Sequence, residues 1–508
     1  MAMLWRCVLL FATASAFAAD LTTIGVTTLR GFEPALTGAN IRVAQADASE
    51  APGVWQVNPP SVAQPQSLFT WISSGGSANT FPNSLGSESG HAAEVGRNFY
   101  GSVSGVAPGV LHVDNYEANY FVNSVVVSEI ATPAKVVNQS FVFLSEEPTL
   151  DREYDQYAAR YNVLFISGVG NDGPPKSPST AYNSIAVGAL GGASSAGPTI
   201  KGRCKPEITV PSGFTSFSTP QVAGAAAILL QAAARGDGGP GTATDLSDIR
   251  MLKALLLNGA QKPSDWTNSS TTPLHLRHGA GVLNVFHSYR QLRGGRHAMA
   301  VSQSVPLGGA HLPPPVSNVI TARRGWDFAT VSSSLTEDGL RHYFFSVTGP
   351  SNRPLTVTLI WNRQQNQTSI NNLDMFLYRT SDNALVASSV SLGNNLEHIA
   401  ITNLPPGVYN LQIFKSGGAV RRITNNETYA IAFDFGPSQP PVFRPPWLAG
   451  GQFTAQLTGE PNQRYLIQAA SALPAWTPVL TNTTSSAGTL QFSVPLTTSR
   501  FFRALELP

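Results

Sequence analysis

The sequence predicts an α/β unit, a mostly parallel sheet with helices on both faces, followed by an antiparallel β-sandwich and a small C-terminal β module. Three observations predict it. Between about residues 20 and 295, short apolar runs that end in Gly, Asn or Ser alternate with stretches of helical period. After about residue 298 the helical period disappears, and runs suited to strands, joined by polar connections, take over. A Pro-rich stretch, "GPSQPPVFRPPW" at 436–447, reads as a stiff, extended linker that sets off the last residues. The resulting division is a leader over 1–18, an α/β domain over 19–297, a β-sandwich over 298–436 and a small β domain over 437–508.

The leader is read from "MAMLWRCVLLFATASAFAAD", in which Arg6 precedes an apolar run and small residues end at Ala16-Phe17-Ala18. This is the layout of a secretory signal peptide cut after Ala18, and the run is too short to span a bilayer. The expected location is therefore secreted, extracellular or at the cell surface, with no transmembrane segment.

In the α/β part, strands are expected in "NIRVAQADAS" (40–49), "VNSVVVSEI" (122–130), "AKVVNQSF" (134–141), "NVLFISGVGNDG" (162–173) and "SIAVGAL" (184–190). Helices are expected in "EYDQYAARY" (153–161), "TPQVAGAAAILLQAAARG" and "TDLSDIRMLKALLLNGA", the last two each stopping at Gly. In such sheets the reactive loops sit at the carboxyl ends of the strands. The sandwich strands are expected at 342–349, 354–362, 373–379, 407–417 and 427–436, and the last module at "RYLIQAAS", "TLQFSVP" and "RFFRALEL".

Composition narrows the function classes. Charged residues make up 12% of the 508, and Lys plus Arg (32) nearly cancels Asp plus Glu (30). No basic footprint for nucleic acid or for an anionic membrane is present. Of two cysteines, Cys7 falls in the leader, so Cys204 has no disulfide partner and reads as a small packed residue.

Candidate chemistry gathers in four local frames. A serine nucleophile needs a base, a carboxylate to orient that base, and donors for the oxyanion. Asp47 ends the apolar-rich "IRVAQAD", which puts its carboxylate at a strand's C-terminal edge, although an Asp there also serves as a turn cap. His91, in "SESGHAAEVG", follows a Ser/Gly turn at a helix start. His112, in "GVLHVDNY", reads as a strand residue. Asn171, in "FISGVGNDG", follows a strand and has an amide that could donate to an oxyanion, or simply form a turn. Ser216 would open the helix through "TPQVAGAAAILLQ", as a cap or as a nucleophile set among exposed N–H groups.

Taken in order, these frames resemble the subtilisin-like serine peptidases. "VAQADAS" is similar to that family's strand ending in D-[ST]-G, and "GHAAEVG" with "GVAPG" to its H-G-T-H-V-A-G block and the G-V-A-P beyond it. "VVNQSF", "SGVGNDG", "SPSTAYNSIAVGAL" and "KPEITVPS" resemble further blocks, and "TSFSTPQVAGAAAILLQ" resembles the nucleophile block T-S-[MF]-A-[TS]-P-x-V-A-G. The likeness spans about residues 35–292. It implies a subtilisin-like sheet and a catalytic set of Asp47, His91 and Ser216, with Asn171 and the Ser216 N–H as oxyanion donors. It also implies that substrate backbone is bound as an added strand near Val136, Val137, Asn138, Ser140, Ser167 and Gly168.

The chain departs from the family pattern at several places. Ala48 stands where a hydroxyl residue usually follows the acid, Ala92-Ala93-Glu94 follow His91, and Phe214 precedes Thr215-Ser216. The 28 residues between Ala18 and Asp47 leave no room for the customary inhibitory prosegment. No metal ligands are assigned. Calcium stays open as a cofactor, with "NNLD" at 371–374 offering ligand types that a turn equally explains.

The implied function is a secreted serine endopeptidase acting on a protein or peptide substrate through an acyl-enzyme. The alternative is a catalytically inactive scaffold acting as a secreted or surface binding protein, with attachment through the C-terminal β domains. Esterase or lipase chemistry is disfavoured, because no G-x-S-x-G elbow occurs and the acid precedes the base.

Overall fold

The computed structural model describes residues 19–349, 351–437, 441–449, 452–473, 476–495 and 501–507. The expected leader over 1–18 lies outside the described residues.

Eight strands form the central sheet: β1 (Arg42–Asp47), β2 (Phe69–Ser73), β3 (Gly76–Ala78), β4 (His112–Glu117), β5 (Val136–Gln139), β6 (Leu164–Gly168), β7 (Ile185–Leu190) and β8 (Ile208–Pro211). Their order is β8-β7-β6-β5-β1-β4-β2-β3. Every pairing is parallel except that of β2 with the edge strand β3. The strands near the middle are buried along their whole length, as parallel sheets covered on both faces require.

Six helices are needed to follow the packing: α1 (Val26–Phe32), α2 (Gly90–Phe99), α3 (Pro148–Tyr161), α4 (Thr215–Arg235), α5 (Ile249–Asn258) and α6 (Val285–Arg293). Helix α4 is the central one. Its Ala-rich middle is buried on every side, so small side chains let it lie close against the sheet. It ends at Gly236 in the left-handed conformation (φ 83°), which closes the last turn without a Cβ penalty.

Residues 122–130 correct one expectation. "VNSVVVSEI" is not a strand: a short helix over Ala118–Tyr120 runs into a π-helical turn over Phe121–Val126. The Glu117 carboxylate starts it by accepting from the N–H groups of Asn119 (3.0 Å) and Tyr120 (2.8 Å). A short Val-rich run carries no period that separates a buried strand from a buried helix, and the cap just upstream of the run decides.

Downstream, a sandwich packs a five-stranded sheet on a four-stranded one. Its strands are β9 (Val301–Pro306), β10 (Arg324–Ser332), β11 (Glu337–Val347), β12 (Arg353–Trp361), β13 (Leu373–Arg379), β14 (Ala384–Ser389), β15 (Leu396–Leu404), β16 (Gly407–Lys415) and β17 (Asn426–Phe435). The sheet orders are β9-β11-β16-β13-β14 and β10-β17-β12-β15, and all pairings are antiparallel. Alternate residues such as Tyr343, Phe345, Val357, Leu359 and Leu411 fill the space between the sheets.

The last module pairs β18 (Val442–Phe443), β19 (Trp447–Ala449), β20 (Gln452–Thr458) and β23 (Thr489–Pro495) in one sheet, and β21 (Arg464–Ala470), β22 (Thr477–Thr483) and β24 (Phe501–Glu506) in another. Part of the expected linker is therefore sheet, because β18 and β19 both pair with β20.

The three parts share one core. The cluster built around α4 also takes in Trp326, Ile360, Leu396 and Ala430 of the sandwich, and Leu466 and Leu507 of the last module. Buried polar contacts close the same seam. Asn183 and Arg363 exchange hydrogen bonds at 2.9 Å in both directions, and Arg363 pairs with Asp155 at 2.9 Å.

Candidate active site

The four candidate residues come from four separate elements. Asp47 is the last residue of β1, buried, at the carboxyl edge of the sheet. Strand alternation puts Gln45 on the same face, two residues back. Gln45 Nε2 donates to the Asp47 carboxylate at 2.9 and 3.2 Å, and Nδ2 of Asn115, the register partner of Gln45 on β4, donates at 2.9 Å. Burial pushes Asp47 up to about 7 against these two donors, and the Glu50 charge adds to the rise.

His91 sits in the first turn of α2. That helix starts where the sequence indicates, with the Ser89 hydroxyl accepting from the Ala92 N–H at 3.0 Å. Glu50 accepts from the N–H groups of Gly90 (3.0 Å) and His91 (3.1 Å), so a carboxylate faces the positive end of the helix. The imidazole lies against the Phe217 ring, 6.0 Å between centroids. Both ring nitrogens are shielded from solvent and have no hydrogen-bond partner among the described residues. Burial holds the pKa of His91 down at about 4, against the pull of Glu50.

Ser216 is not a helix cap. The cap position of α4 is Phe214, extended at φ −145° and with no capping side chain, and Ser216 is the second helical residue. Its N–H has no carbonyl one turn back and no acceptor among the described residues. Its hydroxyl makes one long contact, donating to the Ser140 carbonyl at 3.4 Å, while the Ser140 hydroxyl donates to the Ser216 carbonyl at 2.9 Å.

Asn171 is held from behind. Its Oδ1 accepts from both the N–H (3.0 Å) and the hydroxyl (2.9 Å) of Thr215. A backbone N–H can only donate, so the carbonyl oxygen must be the atom turned towards Thr215. The Nδ2 group is thereby left without a partner among the described residues. One amide and one backbone N–H, both unclaimed, accompany the Ser216 hydroxyl at the start of α4.

The structure thus draws Asp47, His91, Asn171 and Ser216 to one rim of the sheet, but it does not join them into a hydrogen-bonded relay. The oxygens of Asp47 accept from Gln45 and Asn115, and the hydroxyl of Ser216 turns to Ser140. Among the described residues no hydrogen bond links Asp47 to His91 or His91 to Ser216.

The expected peptide-binding residues need correction. β5 pairs with β1 on one side and β6 on the other, and β6 pairs with β5 and β7. The backbones of Val136, Val137, Asn138 and Ser167 are therefore committed within the sheet and cannot take an added strand. Asn138 serves locally, its Nδ2 donating to the Ser140 hydroxyl at 3.1 Å. Gly168 packs closely on α4: a Cβ there would stand 3.0 Å from Thr219 Oγ1 and 3.2 Å from Thr215 Oγ1. Ser140, just beyond the end of β5, is the member of that set beside Ser216.

Sequence reasoning missed Gln45, Glu50, Tyr100, Asn115 and Thr215. Gln45 alone left a readable sign, a polar side chain on the same strand face as the candidate acid. Cys204 is buried and its thiol is pushed up to about 11 by burial, as fits a packed residue. Asn371, the first residue of the "NNLD" stretch, spends its amide on Ile423, Thr424 and Glu427 and has no group left for a cation. No set of three or more His, Cys, Asp or Glu side chains suited to hold a metal occurs among the described residues, and no described helix is long and apolar enough to cross a membrane.

The sheet order, the long central helix and the rim residues define a subtilisin-like α/β fold followed by antiparallel β units. Residues 83–282 match the model described as "Subtilase family", and this part of the chain is a subtilase-family domain, which supports a serine peptidase. That match holds His91, Asn171 and Ser216 but begins after Asp47. Residues 343–415 match the "Bacterial pre-peptidase C-terminal domain". No curated protein matches the chain.

Among solved structures the chain is similar to the PatG macrocyclase in complex with peptide, at 15% identity and a TM-score of 0.36, over 55% of this chain and 99% of that one. It is similar to tripeptidyl peptidase 2 at 12% identity and a TM-score of 0.34, over 80% of this chain and 51% of that one. The pre-peptidase C-terminal domain of collagenase from Bacillus anthracis is similar at 16% identity and a TM-score of 0.15, over 27% of this chain and 92% of that one.

Proposed function

We propose that the chain is a secreted serine endopeptidase that hydrolyses peptide bonds through an acyl-enzyme. The observation that carries this reading is the start of α4, where the Ser216 hydroxyl, the free Ser216 N–H and the oriented Asn171 amide meet. Ser216 Oγ attacks the scissile carbonyl carbon, and its proton passes to an imidazole nitrogen of His91. The carbonyl oxygen, now negative, accepts hydrogen bonds from Asn171 Nδ2 and the Ser216 N–H. The C–N bond breaks as His91 returns the proton to the leaving amine, and water then releases the acyl group by the same steps in reverse.

In this cycle Asp47 stabilises His91 once it carries the proton. A neutral His91 in the resting site suits a base that must accept a proton, and burial supplies that neutrality. Catalytic hydrogen bonds that are open in a free enzyme commonly close around the substrate, which accommodates a Ser216 hydroxyl parked on Ser140.

The separated relay also favours a second reading, an inactive scaffold that binds rather than cuts. A fluorophosphonate probe separates the two. The folded wild-type protein is expected to be labelled on Ser216 and to degrade casein, with both lost in Ser216→Ala. Intact casein and an unlabelled Ser216 in the wild type would leave the binding reading standing.

A further inference from the structure

We propose that Gln45, held by Tyr100 and assisted by Asn115, is the positioning residue that aims the Asp47 carboxylate and stabilises its charged form. This rests on the peptidase reading for its catalytic meaning, though not for its test. The network is closed at every atom. The Ala92 carbonyl and the Asp47 carboxylate only accept, which fixes Nε2 as the group facing them, so the Tyr100 hydroxyl donates to Gln45 Oε1 at 2.7 Å. Gln45 Nε2 also donates to the Ala92 carbonyl at 2.9 Å, one residue beyond His91. Asn115 is held in turn, its Oδ1 accepting from the Val57 N–H at 2.9 Å and its Nδ2 donating to the Gln45 carbonyl at 3.3 Å as well as to Asp47. Gln45, Asp47 and Asn115 are all buried, so a lost donor is not replaced by bulk water.

The chemistry needs such a device here. Ala48 supplies no hydroxyl next to the acid, and burial alone drives Asp47 towards the protonated form. A protonated Asp47 could not stabilise a charged His91. The other titratable groups around Asp47 are Glu50 beyond β1, His91 on α2, Tyr100 after α2, and Glu117, its register partner on β4. Glu50 and Glu117 both spend their carboxylates on backbone N–H groups, and the only shift that either adds to Asp47 is the rise from Glu50.

The test reads the carboxyl directly. Carbon-13 NMR of aspartate carboxyls, with the Asp47 signal assigned by its loss in Asp47→Asn, gives the titration midpoint in the wild type, Gln45→Leu and Tyr100→Phe. The midpoint is expected to rise by about one unit in Gln45→Leu, and by less in Tyr100→Phe, where the amide is kept but loses the hydroxyl that holds it. Starting from about 7, a one-unit rise cuts the ionised fraction at pH 7 about fivefold. The rate of fluorophosphonate labelling at pH 7 is expected to fall by the same factor and to recover above pH 9. Tyr100→Phe removes one oxygen and keeps the ring, so it serves if Gln45→Leu does not fold. Equal midpoints in wild type and Tyr100→Phe, or in wild type and folded Gln45→Leu, would overturn the inference. A wild-type protein that takes no label would overturn the peptidase reading instead, and the carboxyl titration would still decide the network.

Discussion

Asn171 shows how little sequence separates a turn former from a proposed oxyanion donor. Its oxygen is turned inwards by two donors from Thr215, 44 residues away, and only that contact leaves the amide nitrogen outward. Asn171→Ala is expected to lower kcat about 100- to 1,000-fold with KM little changed, because the lost bond forms mainly in the transition state; steady-state kinetics on a peptide amide checks it. The residues proposed to carry chemistry stand out at this scale because each has a distinctive frame: an acid ending a strand, a histidine opening a helix, a serine before an Ala-rich run. The residues that orient them do not. Glu50, Tyr100 and Thr215 act through partners distant in the chain, which their own neighbours do not reveal, and only Gln45 left a sign, its place on the acid's strand face. The added-strand role expected of Val136, Val137 and Asn138 fell for a related reason. The apolar run of β5 identifies a strand, but not that neighbours occupy both its edges.

Helix α2 is the element whose placement matters most, since His91 rides in its first turn. Two unrelated groups tie that turn down, the Ser89 hydroxyl and the Glu50 carboxylate. Ser89→Ala is expected to cost about 1 kcal/mol of stability, read from the midpoint of urea unfolding, and to lower activity more than that loss of folded protein explains. The Ser/Gly turn before His91 was readable as a helix start from sequence. The glutamate was not, because it lies 41 residues from His91 and acts only once β1 has docked. Residues 122–130 owe their helical fate to a local carboxylate instead, that of Glu117, which ends the preceding strand and caps the helix leading into them. Strands β12, β13, β16 and β17 were found within two residues of their observed limits and β11 was set five residues late at its start, whereas β9, β10, β14 and β15 escaped notice. All four lie at the edges of their sheets, and in β9 and β14 exposed faces weaken the apolar pattern.

Across the whole molecule, the parts that sequence separates are welded by buried charge. Glu506 of the last module meets Arg290 of α6 at 3.1 Å, and Arg324 and Arg323 at the start of the sandwich at 2.7 and 2.9 Å. Burial opposes the charge on Glu506, yet the guanidiniums of Arg290, Arg324 and Arg323 prevail and hold it at about 2. Arg290 itself is held down at about 10 by burial and by the neighbouring Arg324, as expected where several cations crowd one anion. A carboxylate depressed in this way adds stability above its ordinary pKa of 4.5 and loses it as pH falls towards 2. The shift corresponds to about 3 kcal/mol. Glu506→Gln is expected to lose a comparable amount at pH 7 and to flatten the acid dependence, checked by chemical denaturation at pH 7 and pH 3. Composition could hint at none of this, because the arginines and the glutamate that pair are about 180 to 220 residues apart.

The seclusion of these pairs has a further consequence. Arg203 with Glu146, Arg353 with Glu460 and Arg324 with Glu506 all have side chains less than a tenth exposed. Dissolved ions weaken attraction only where they can come between the partners. Rising ionic strength should therefore loosen outlying pairs such as Arg379 with Asp382 and leave the inner clasps untouched. Brine would find the molecule intact where strong acid would pull it open.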